Sequence, residues 1–262
     1  MAITIRGLPE HCDMEGLLRV TPLAPVALVA VCIDILGLAA MFPARLLRAV
    51  LCYVTGMIVV DRSATAARVA DYFGGMSHDQ LTRMLGQEKW NCSMLMLRMI
   101  RLIQRLGAKG VLILDDTLLQ HPRSRKMQGV YWDWDHAEQR YVFGQRLVML
   151  IWSDGFWRIP VAFAFWHKKG ARPKYKTKNE IARTLLQWAV SRGVRPAYVA
   201  FDNWYASKRN LRLIVGEMSL QFVTRLKKNA YVHWESKRIR ANVLGQRLLT
   251  ETRPYRIRSS GT

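Results

Sequence analysis

Two aspartates in the sequence follow short apolar runs that have the composition of buried strands. Asp116, with its neighbour Asp115, follows the run at 111–114, and Asp202 follows the run at 197–201. In a mixed sheet, strands that end side by side bring such side chains into one crevice. Two carboxylates held close together repel each other unless a cation lies between them, and Mg²⁺ is often held by carboxylate oxygens. The pair therefore predicts a divalent-metal site; the alternative is that each aspartate only forms a turn or caps a helix.

The elements predicted around these aspartates form a mixed sheet with helices. Periodicity and turn residues place strands at 111–114, 142–152 and 156–165, a helix at 177–191, a strand at 197–201, a helix at 205–216 and a strand at 221–227. Ser153, Asp154 and Gly155 are expected to form the hairpin turn between the second and third strands. The chain from residue 107 onward is therefore predicted to be of the α/β class.

The first 106 residues are predicted to be helical. The stretch from Ala24 to Phe42 is almost entirely apolar and approaches the length of a bilayer span. Its central Asp34 would be costly in lipid, so a buried helix is favoured over a membrane span. Acidic residues before this stretch disfavour a signal peptide. Further helices are expected at 46–60 and, half-buried, at 93–106.

Two short helices are predicted within residues 61–90. Ser63 or Thr65 is placed to cap the first, which ends at Gly74, and Ser77 is placed to cap the second. Two helices joined by a short glycine turn resemble a helix-turn-helix that reads DNA, and an ordinary helical hairpin is the alternative.

The composition indicates a folded and strongly basic protein. The chain has 262 residues, of which 50% are hydrophobic, and a formal net charge of +21. This excludes a disordered or fibrous chain and indicates a polyanionic partner, either nucleic acid or an anionic membrane surface. Residues 1–120 carry 12 basic and 10 acidic side chains, whereas residues 121–262 carry 28 and 9, so the second half generates most of the field. The four cysteines show neither metal-ligand spacing nor the density of a disulfide framework.

Three stretches of the second half resemble the IS4-type group of DDE transposases, namely residues 112–163, 199–207 and 221–232, and residues 61–90 resemble that group's helical amino-terminal region. The resemblance implies a ribonuclease-H-like core and a DNA transposase that cuts transposon ends and joins the freed 3′-hydroxyl to target DNA. It also implies two divalent ions, Mg²⁺ or Mn²⁺, held by three acids in the order Asp, Asp, Glu. Such a protein would assemble on DNA as a homodimer, in the bacterial cytoplasm near the nucleoid and with no membrane partner.

The resemblance also selects particular acids. In the group, the first aspartate directly precedes Thr or Ser, which selects Asp116 as the catalytic and metal-binding acid and leaves Asp115 as its alternative. The second aspartate corresponds to Asp202. Thr117 and Asn203 are expected to orient these metal ligands by hydrogen bonds without contacting the metal themselves.

The third acid of the pattern is missing from its expected context. The group places this Glu on a helix with the spacing Tyr-x-x-Arg-x-x-x-Glu, whereas the matching Tyr255 and Arg258 are followed by no Glu. Glu217, Glu235 and Glu251 are the acids that remain after the second aspartate, and none of them has that helical context.

Two regions are expected. Residues 1–106 form a helical region with a possible role in binding DNA ends. Residues 107–262 form an incomplete ribonuclease-H-like mixed sheet, which stops at the start of an inserted β region. Such a chain, whether truncated, frameshifted or a fragment, is expected to bind DNA but to cleave it poorly, because one ion would lack a ligand. An inactive DNA-binding remnant is therefore the alternative to an active transposase.

Basic side chains near the acids and in the second half are predicted to contact the DNA backbone, with solvated loops as the alternative. They are Arg123, Arg125, Lys126, Lys168, Lys169, Arg172, Lys174, Lys176, Lys178, Lys227 and Lys228. Trp132, Trp134 and Trp204 are candidates for stacking on an unpaired base, although core packing is favoured for most tryptophans. His121 and His136 are weak candidates for metal ligands.

Overall fold

The computed structural model describes residues 29–249 except for residues 31, 41, 61–63, 87–90, 108, 125, 171–173 and 228. The chain divides into two compact units, Met1–Arg98 and Met99–Thr262. The division falls inside the helix Cys92–Arg105, and the predicted boundary between residues 106 and 107 lies after that helix.

The first unit consists of helices in its described part. Residues 29–30 and 32–35 are helical, and a 3₁₀ turn (Leu38–Ala40), α1 (Ala44–Val59), α2 (Ala66–Phe73) and α3 (His78–Leu85) follow. Their shared core includes Leu51, Val69, Phe73 and Leu81.

The apolar stretch from Ala24 to Phe42 contributes to this core where it is described. Val29, Ala30 and Ile33 are buried against the other helices of the unit, in agreement with the predicted buried helix. No helix among the described residues is long and apolar enough to cross a membrane.

Two of the predicted helix caps are confirmed by hydrogen bonds. The Thr65 side chain accepts a hydrogen bond from the N–H of the third residue of α2 at 3.3 Å, and Gly74 ends that helix with a φ of 63°. Ser77 begins α3 in a reciprocal capping box with Gln80. Ser63, the other candidate cap, lies outside the described residues.

The second unit has the predicted mixed α/β character. Its described elements are α4 (Cys92–Arg105, which begins in the first unit), β1 (Val111–Gln120), β2 (Tyr131–Asp135), β3 (Arg140–Ser153), β4 (Arg158–Trp166), α5 (Lys178–Ser191), β5 (Tyr198–Phe201), α6 (Lys208–Arg212), a π-helical turn (Leu213–Glu217), β6 (Gln221–Thr224), β7 (Tyr231–Trp234), β8 (Lys237–Arg240) and α7 (Ala241–Leu249).

Among the described residues, β1 lies at the centre of a sheet of six strands. On one side it pairs antiparallel with β3, and on the other it pairs parallel with β5, which continues in parallel to β6. The far edge of β3 pairs antiparallel with β2 along residues 140–144 and with β4 along residues 146–153. β7 and β8 form a separate hairpin.

β1 extends beyond the predicted end of the first strand, which corrects the placement of the first two acids. The parallel pairing with β5 stops where Leu114 meets Phe201, but the antiparallel pairing with β3 continues to the end of β1. Asp115 and Asp116 therefore lie within a strand and not past its end. The apolar run stops at Leu114, whereas pairing with β3 keeps the following polar residues extended.

Other elements also differ from the predicted ones. β2 was not predicted, because Asp133 and Asp135 interrupt its aromatic residues. The helix expected at 205–216 begins only at Lys208 and ends in the π-helical turn. The strand expected at 221–227 ends at Thr224.

Alternation along β1 places its two aspartates on opposite faces of the sheet. Leu112 and Leu114 are buried on the same face as Asp116. This face packs against α5, since Lys178 at the start of that helix reaches Asp116. Asp115 lies on the opposite face, which it shares with Ile113.

Candidate active site

Asp202 is the first residue after β5, and the turn that follows holds its side chain. Its Oδ1 accepts a hydrogen bond from the Trp204 N–H at 3.0 Å. Its backbone carbonyl accepts one from the Thr224 hydroxyl at 3.1 Å, which ties the turn to β6. Asp202 is exposed, so this carboxylate is oriented by the backbone while it remains accessible from solvent.

Asp115 lies beside Asp202 where the parallel pairing ends. Leu114 is in register with Phe201, and continuing this register by one residue brings Asp115 of β1 level with Asp202, the first residue after β5, on the same face. Asp115 is exposed, and its Oδ1 accepts a hydrogen bond from the Asp116 N–H at 2.8 Å. Partial burial raises the pKa of Asp115, and the negative charges of Asp116 and Asp202 raise it further, against the opposing backbone hydrogen bond and a nearby lysine. The carboxylates therefore repel one another.

Asp116 is surrounded by hydrogen-bond donors on the other face. Its Oδ2 accepts from Arg146 Nη1 at 2.8 Å and from Lys178 Nζ at 3.0 Å, and its Oδ1 accepts from the Tyr205 hydroxyl at 2.8 Å. The side chain is 11% exposed. Burial alone raises the pKa of this carboxyl, but the Arg146, Lys178 and Tyr205 contacts outweigh burial and hold the pKa of Asp116 below its ordinary value. Both carboxylate oxygens are thus engaged by protein groups.

Arg146 connects this carboxylate to β2. Its Nε donates to Asp133 Oδ2 at 2.6 Å, and its Nη2 donates to the Trp134 carbonyl at 3.1 Å. Arg146 was not among the predicted site residues. An arginine at an inward position of a mostly apolar strand is nevertheless a signal, because a buried guanidinium needs carboxylate partners. Tyr205 lies in the stretch 199–207 that carries the resemblance, but it was not predicted to be a site residue, and its burial could not be read from the sequence.

Lys178 is positioned by the start of α5. Thr177 and Glu180 form the reciprocal capping box that begins this helix. The Lys178 ammonium lies 5.1 Å from the centroid of the Trp204 ring, and the side chain is 17% exposed. Lys178 was predicted to contact DNA, but its ammonium is engaged within the protein by Asp116.

Most of the other basic side chains predicted to contact DNA are exposed. These are Arg123, Lys126, Lys168, Lys169, Lys174, Lys176 and Lys227. Arg125, Arg172 and Lys228 lie outside the described residues. A cavity of about 250 Å³ brings Lys168, Lys174 and Lys176 together beside Phe165. The Lys168 ammonium also donates to the Trp132 carbonyl at 2.6 Å. Lys174 and Lys176 are therefore the better candidates for binding phosphate at this cavity.

The remaining aromatic candidates differ in exposure. Trp132 and Trp204 are 60% and 55% exposed, whereas Trp134 packs edge-to-face on Tyr141 with the ring centroids 5.2 Å apart. Packing therefore accounts for Trp134, and stacking on a base stays a prediction for the two exposed rings.

The predicted supporting residues and histidines occupy the surroundings of the acids. Thr117 lies on β1 and Asn203 in the turn after β5, and both are exposed. His121 follows β1 and donates its backbone N–H to the Phe143 carbonyl at 2.7 Å. His136 is exposed in the turn between β2 and β3. None of these contacts tests a role in metal binding.

The structure does not bring a third acid to the aspartates in its described part. Glu217 ends the π-helical turn, and Glu235, with a φ of 48°, lies in the turn between β7 and β8. Glu251 lies outside the described residues. No group of three or more His, Cys, Asp or Glu side chains within the described residues could hold a metal ion.

Comparison with known proteins identifies one family. The model of a DDE superfamily endonuclease matches residues 38–254. No curated protein matches the chain. Among solved structures, the Drosophila P element transposase strand transfer complex is similar over 55% of this chain and 35% of that chain, at 11% sequence identity and a TM-score of 0.22. This chain thus spans about a third of that neighbour's length.

Proposed function

Because the chain belongs to the DDE superfamily endonuclease family, we propose that it is a DNA transposase of the IS4 type, which cuts transposon ends and joins the freed 3′-hydroxyl to target DNA. The observation that carries this proposal is that Asp115 and Asp202 directly follow Leu114 and Phe201, the last residues paired between the parallel strands β1 and β5. Phosphodiester transfer requires activation of the attacking oxygen and stabilisation of the leaving oxygen, and divalent ions held by carboxylates supply both.

The sheet supports a ribonuclease-H-like core within this proposal. β1, β3 and β4 are antiparallel neighbours, and β5 and β6 continue in parallel on the other side of β1. One acid lies on the first strand and another directly follows the first parallel strand, which is the arrangement that the resemblance implies.

Asp115 and Asp202 are the acids that we assign to metal binding, in place of the pair of Asp116 and Asp202 that the resemblance selects. Asp115 is exposed on the same face as Asp202. Asp116 faces α5 and already accepts hydrogen bonds from three side chains. A metal ligand must offer free oxygen lone pairs, which favours Asp115. Thr117, on the same face as Asp115, and Asn203 remain the proposed supporting residues.

The two exposed carboxylates fit a divalent ion such as Mg²⁺ or Mn²⁺, because they are oxygen donors whose like charges repel without a cation. When bound, the ion would activate the attacking oxygen and stabilise the leaving one. Asp115 and Asp202 would hold it, while Lys174 and Lys176, at the cavity beside α5, would bind phosphates of the DNA backbone. A second ion needs a further acid, which we assign to none of the described residues.

DNA is the proposed partner, as transposon end and as target. The +21 net charge and the exposed lysines beside the cavity support a polyanionic partner. Assembly as a homodimer on DNA, and a location in the bacterial cytoplasm near the nucleoid, belong to the same proposal and follow from the resemblance. The helical region at 1–106 would contribute to recognition of DNA ends, and residues 107–262 would contribute the acids.

An inactive DNA-binding remnant of a transposase is the second candidate function. It is favoured by one observation, since no third acid is grouped with Asp115 and Asp202 among the described residues. A site with two acids would hold its ions loosely, and small misplacements of reacting groups cost large factors in rate.

Nicking of supercoiled plasmid in the presence of Mn²⁺ separates the two candidates. An active transposase converts the plasmid to the open circular form, and Asp202→Asn abolishes the conversion. Asp154→Asn is the matched control, because Asp154 only holds the turn between β3 and β4 through backbone hydrogen bonds. Plasmid binding without nicking supports the inactive remnant. A chain that neither binds nor nicks the plasmid contradicts both functions.

A further inference from the structure

The Asp116 carboxylate is the point at which four parts of the second unit meet. The carboxylate belongs to β1, Arg146 reaches it from β3, Lys178 from the start of α5, and Tyr205 from the turn after β5. Through Arg146, the cluster also includes Asp133 of β2. We refer to these five side chains as the Asp116 network.

The network is too enclosed for a metal-binding role. The side chains of Asp116, Arg146 and Lys178 are 11%, 10% and 17% exposed, and Tyr205 is 0% exposed. Three donors already engage the two carboxylate oxygens. A metal ion there would displace Arg146 or Lys178 and leave a buried cation without its partner, which is strongly unfavourable.

The network fixes the direction of Asp115. Beyond Leu114, β1 pairs with β3 on one side, while its parallel pairing with β5 has ended. Arg146 and Lys178 hold the Asp116 side chain towards α5. Because neighbouring side chains of a strand point to opposite faces, Asp115 is then directed to the face of Asp202.

The network also reaches the other acid. Tyr205 donates its hydroxyl to Asp116 and its backbone N–H to the Asp202 carbonyl, the latter at 3.3 Å. One buried tyrosine therefore links the strand that carries Asp115 to the turn that carries Asp202.

We infer that Asp116 is a positioning residue, which sets the spacing between Asp115 and Asp202 through Arg146, Lys178 and Tyr205 and does not itself bind the ion. This inference rests on the proposed function, because it takes the Asp115 and Asp202 pair as the metal site. Loss of a residue that orients metal ligands typically weakens metal affinity by about 10–100-fold.

Binding of Mn²⁺ to the full chain, measured by the loss of the free-ion electron paramagnetic resonance signal, tests the inference. Asp115→Asn should abolish binding. Asp116→Asn should weaken it about tenfold or more without abolishing it. Tyr205→Phe removes no carboxylate and should also weaken binding about tenfold, because the link between the two acids is lost. Tyr141→Phe is the matched control, because this tyrosine is 64% exposed. The affinity of this variant for Mn²⁺ should equal that of the wild type.

Circular dichroism checks that each variant is folded, and if Asp116→Asn does not fold, the Tyr205→Phe result decides. Loss of binding in Asp116→Asn together with full binding in Asp115→Asn would overturn the inference and make Asp116 the ligand. Unchanged affinity in Tyr205→Phe would overturn the positioning role. A wild-type chain that binds no Mn²⁺ would overturn the proposed metal site and the inference with it.

Discussion

Asp115 and Asp116 are adjacent in the chain, yet they have different surroundings. Asp115 is exposed beside Asp202, whereas Asp116 is enclosed by Arg146 and Tyr205. The sequence predicts that acids gather here, but it cannot choose between the two neighbours by geometry. The choice depends on the face that each acid occupies, and that is set by the register of β1 with β5 and by contacts from residues distant in the sequence.

At the residue scale, Arg146→Ala should lower the free energy of unfolding by about 3–5 kcal/mol, because Asp133 would lose its ion-pair partner and Asp116 would keep only Lys178. Urea titration followed by tryptophan fluorescence measures the change. Arg140→Ala is the control, because its ion pair with Glu138 is largely exposed and an exposed pair contributes little to stability. Equal effects of the two substitutions would show that the Asp116 network does not stabilise the fold.

At the scale of helices and strands, local signals predict some boundaries well and others poorly. Thr65 and Ser77 begin α2 and α3 as expected, because a capping side chain acts on its own backbone neighbours. The extent of β1 and the existence of β2 depend on pairing with β3. Such pairing involves distant residues, so apolar runs end the first strand too early and miss Tyr131–Asp135 altogether.

The packing of α1 on α2 gives a prediction at this scale. A Cβ at Gly56 would lie 2.6 Å from Val69, so Gly56→Ala should destabilise the protein by about 1–3 kcal/mol in spite of alanine's better helix propensity. Thermal unfolding followed by circular dichroism measures this. Gly245→Ala in α7 is the matched control, because no described atom lies within 4 Å of the added Cβ, and it should be neutral or stabilising by up to about 1 kcal/mol. A stabilising Gly56→Ala would contradict the close packing.

At the scale of the whole molecule, charge distribution is the feature that the sequence alone predicts most directly. Residues 121–262 carry 28 basic and 9 acidic side chains, a count that needs no coordinates. The structure adds which of these side chains are exposed and which, like Lys178, are engaged inside the protein. A run of basic residues cannot show this difference, because it depends on what packs against each of them.

The proposed contact of the cavity lysines with DNA predicts a specific salt dependence. Replacing Lys174 and Lys176 together by Gln should reduce the slope of log affinity against log salt by about 2, because each phosphate contact contributes about 0.9. Fluorescence anisotropy with labelled duplex DNA between about 50 and 200 mM salt measures the slope. Lys109→Gln is the control, because Lys109 is exposed just before β1 begins, away from the cavity lysines in sequence. The salt dependence of DNA binding by this variant should equal that of the wild type. An unaltered slope in the double variant would show that the cavity is not part of the DNA-binding surface.

Iron-mediated cleavage of the polypeptide tests the central claim, the pairing of Asp115 with Asp202 at one metal site, most directly. Fe²⁺ bound in place of Mn²⁺, with ascorbate and peroxide, produces radicals that cut the backbone near the ion, and mass spectrometry locates the cuts. We predict cuts around residues 115 and 202 together, suppressed by excess Mn²⁺ and absent from Asp115→Asn. Cuts at neither position, or cuts that persist in Asp115→Asn and disappear in Asp116→Asn, would contradict the account.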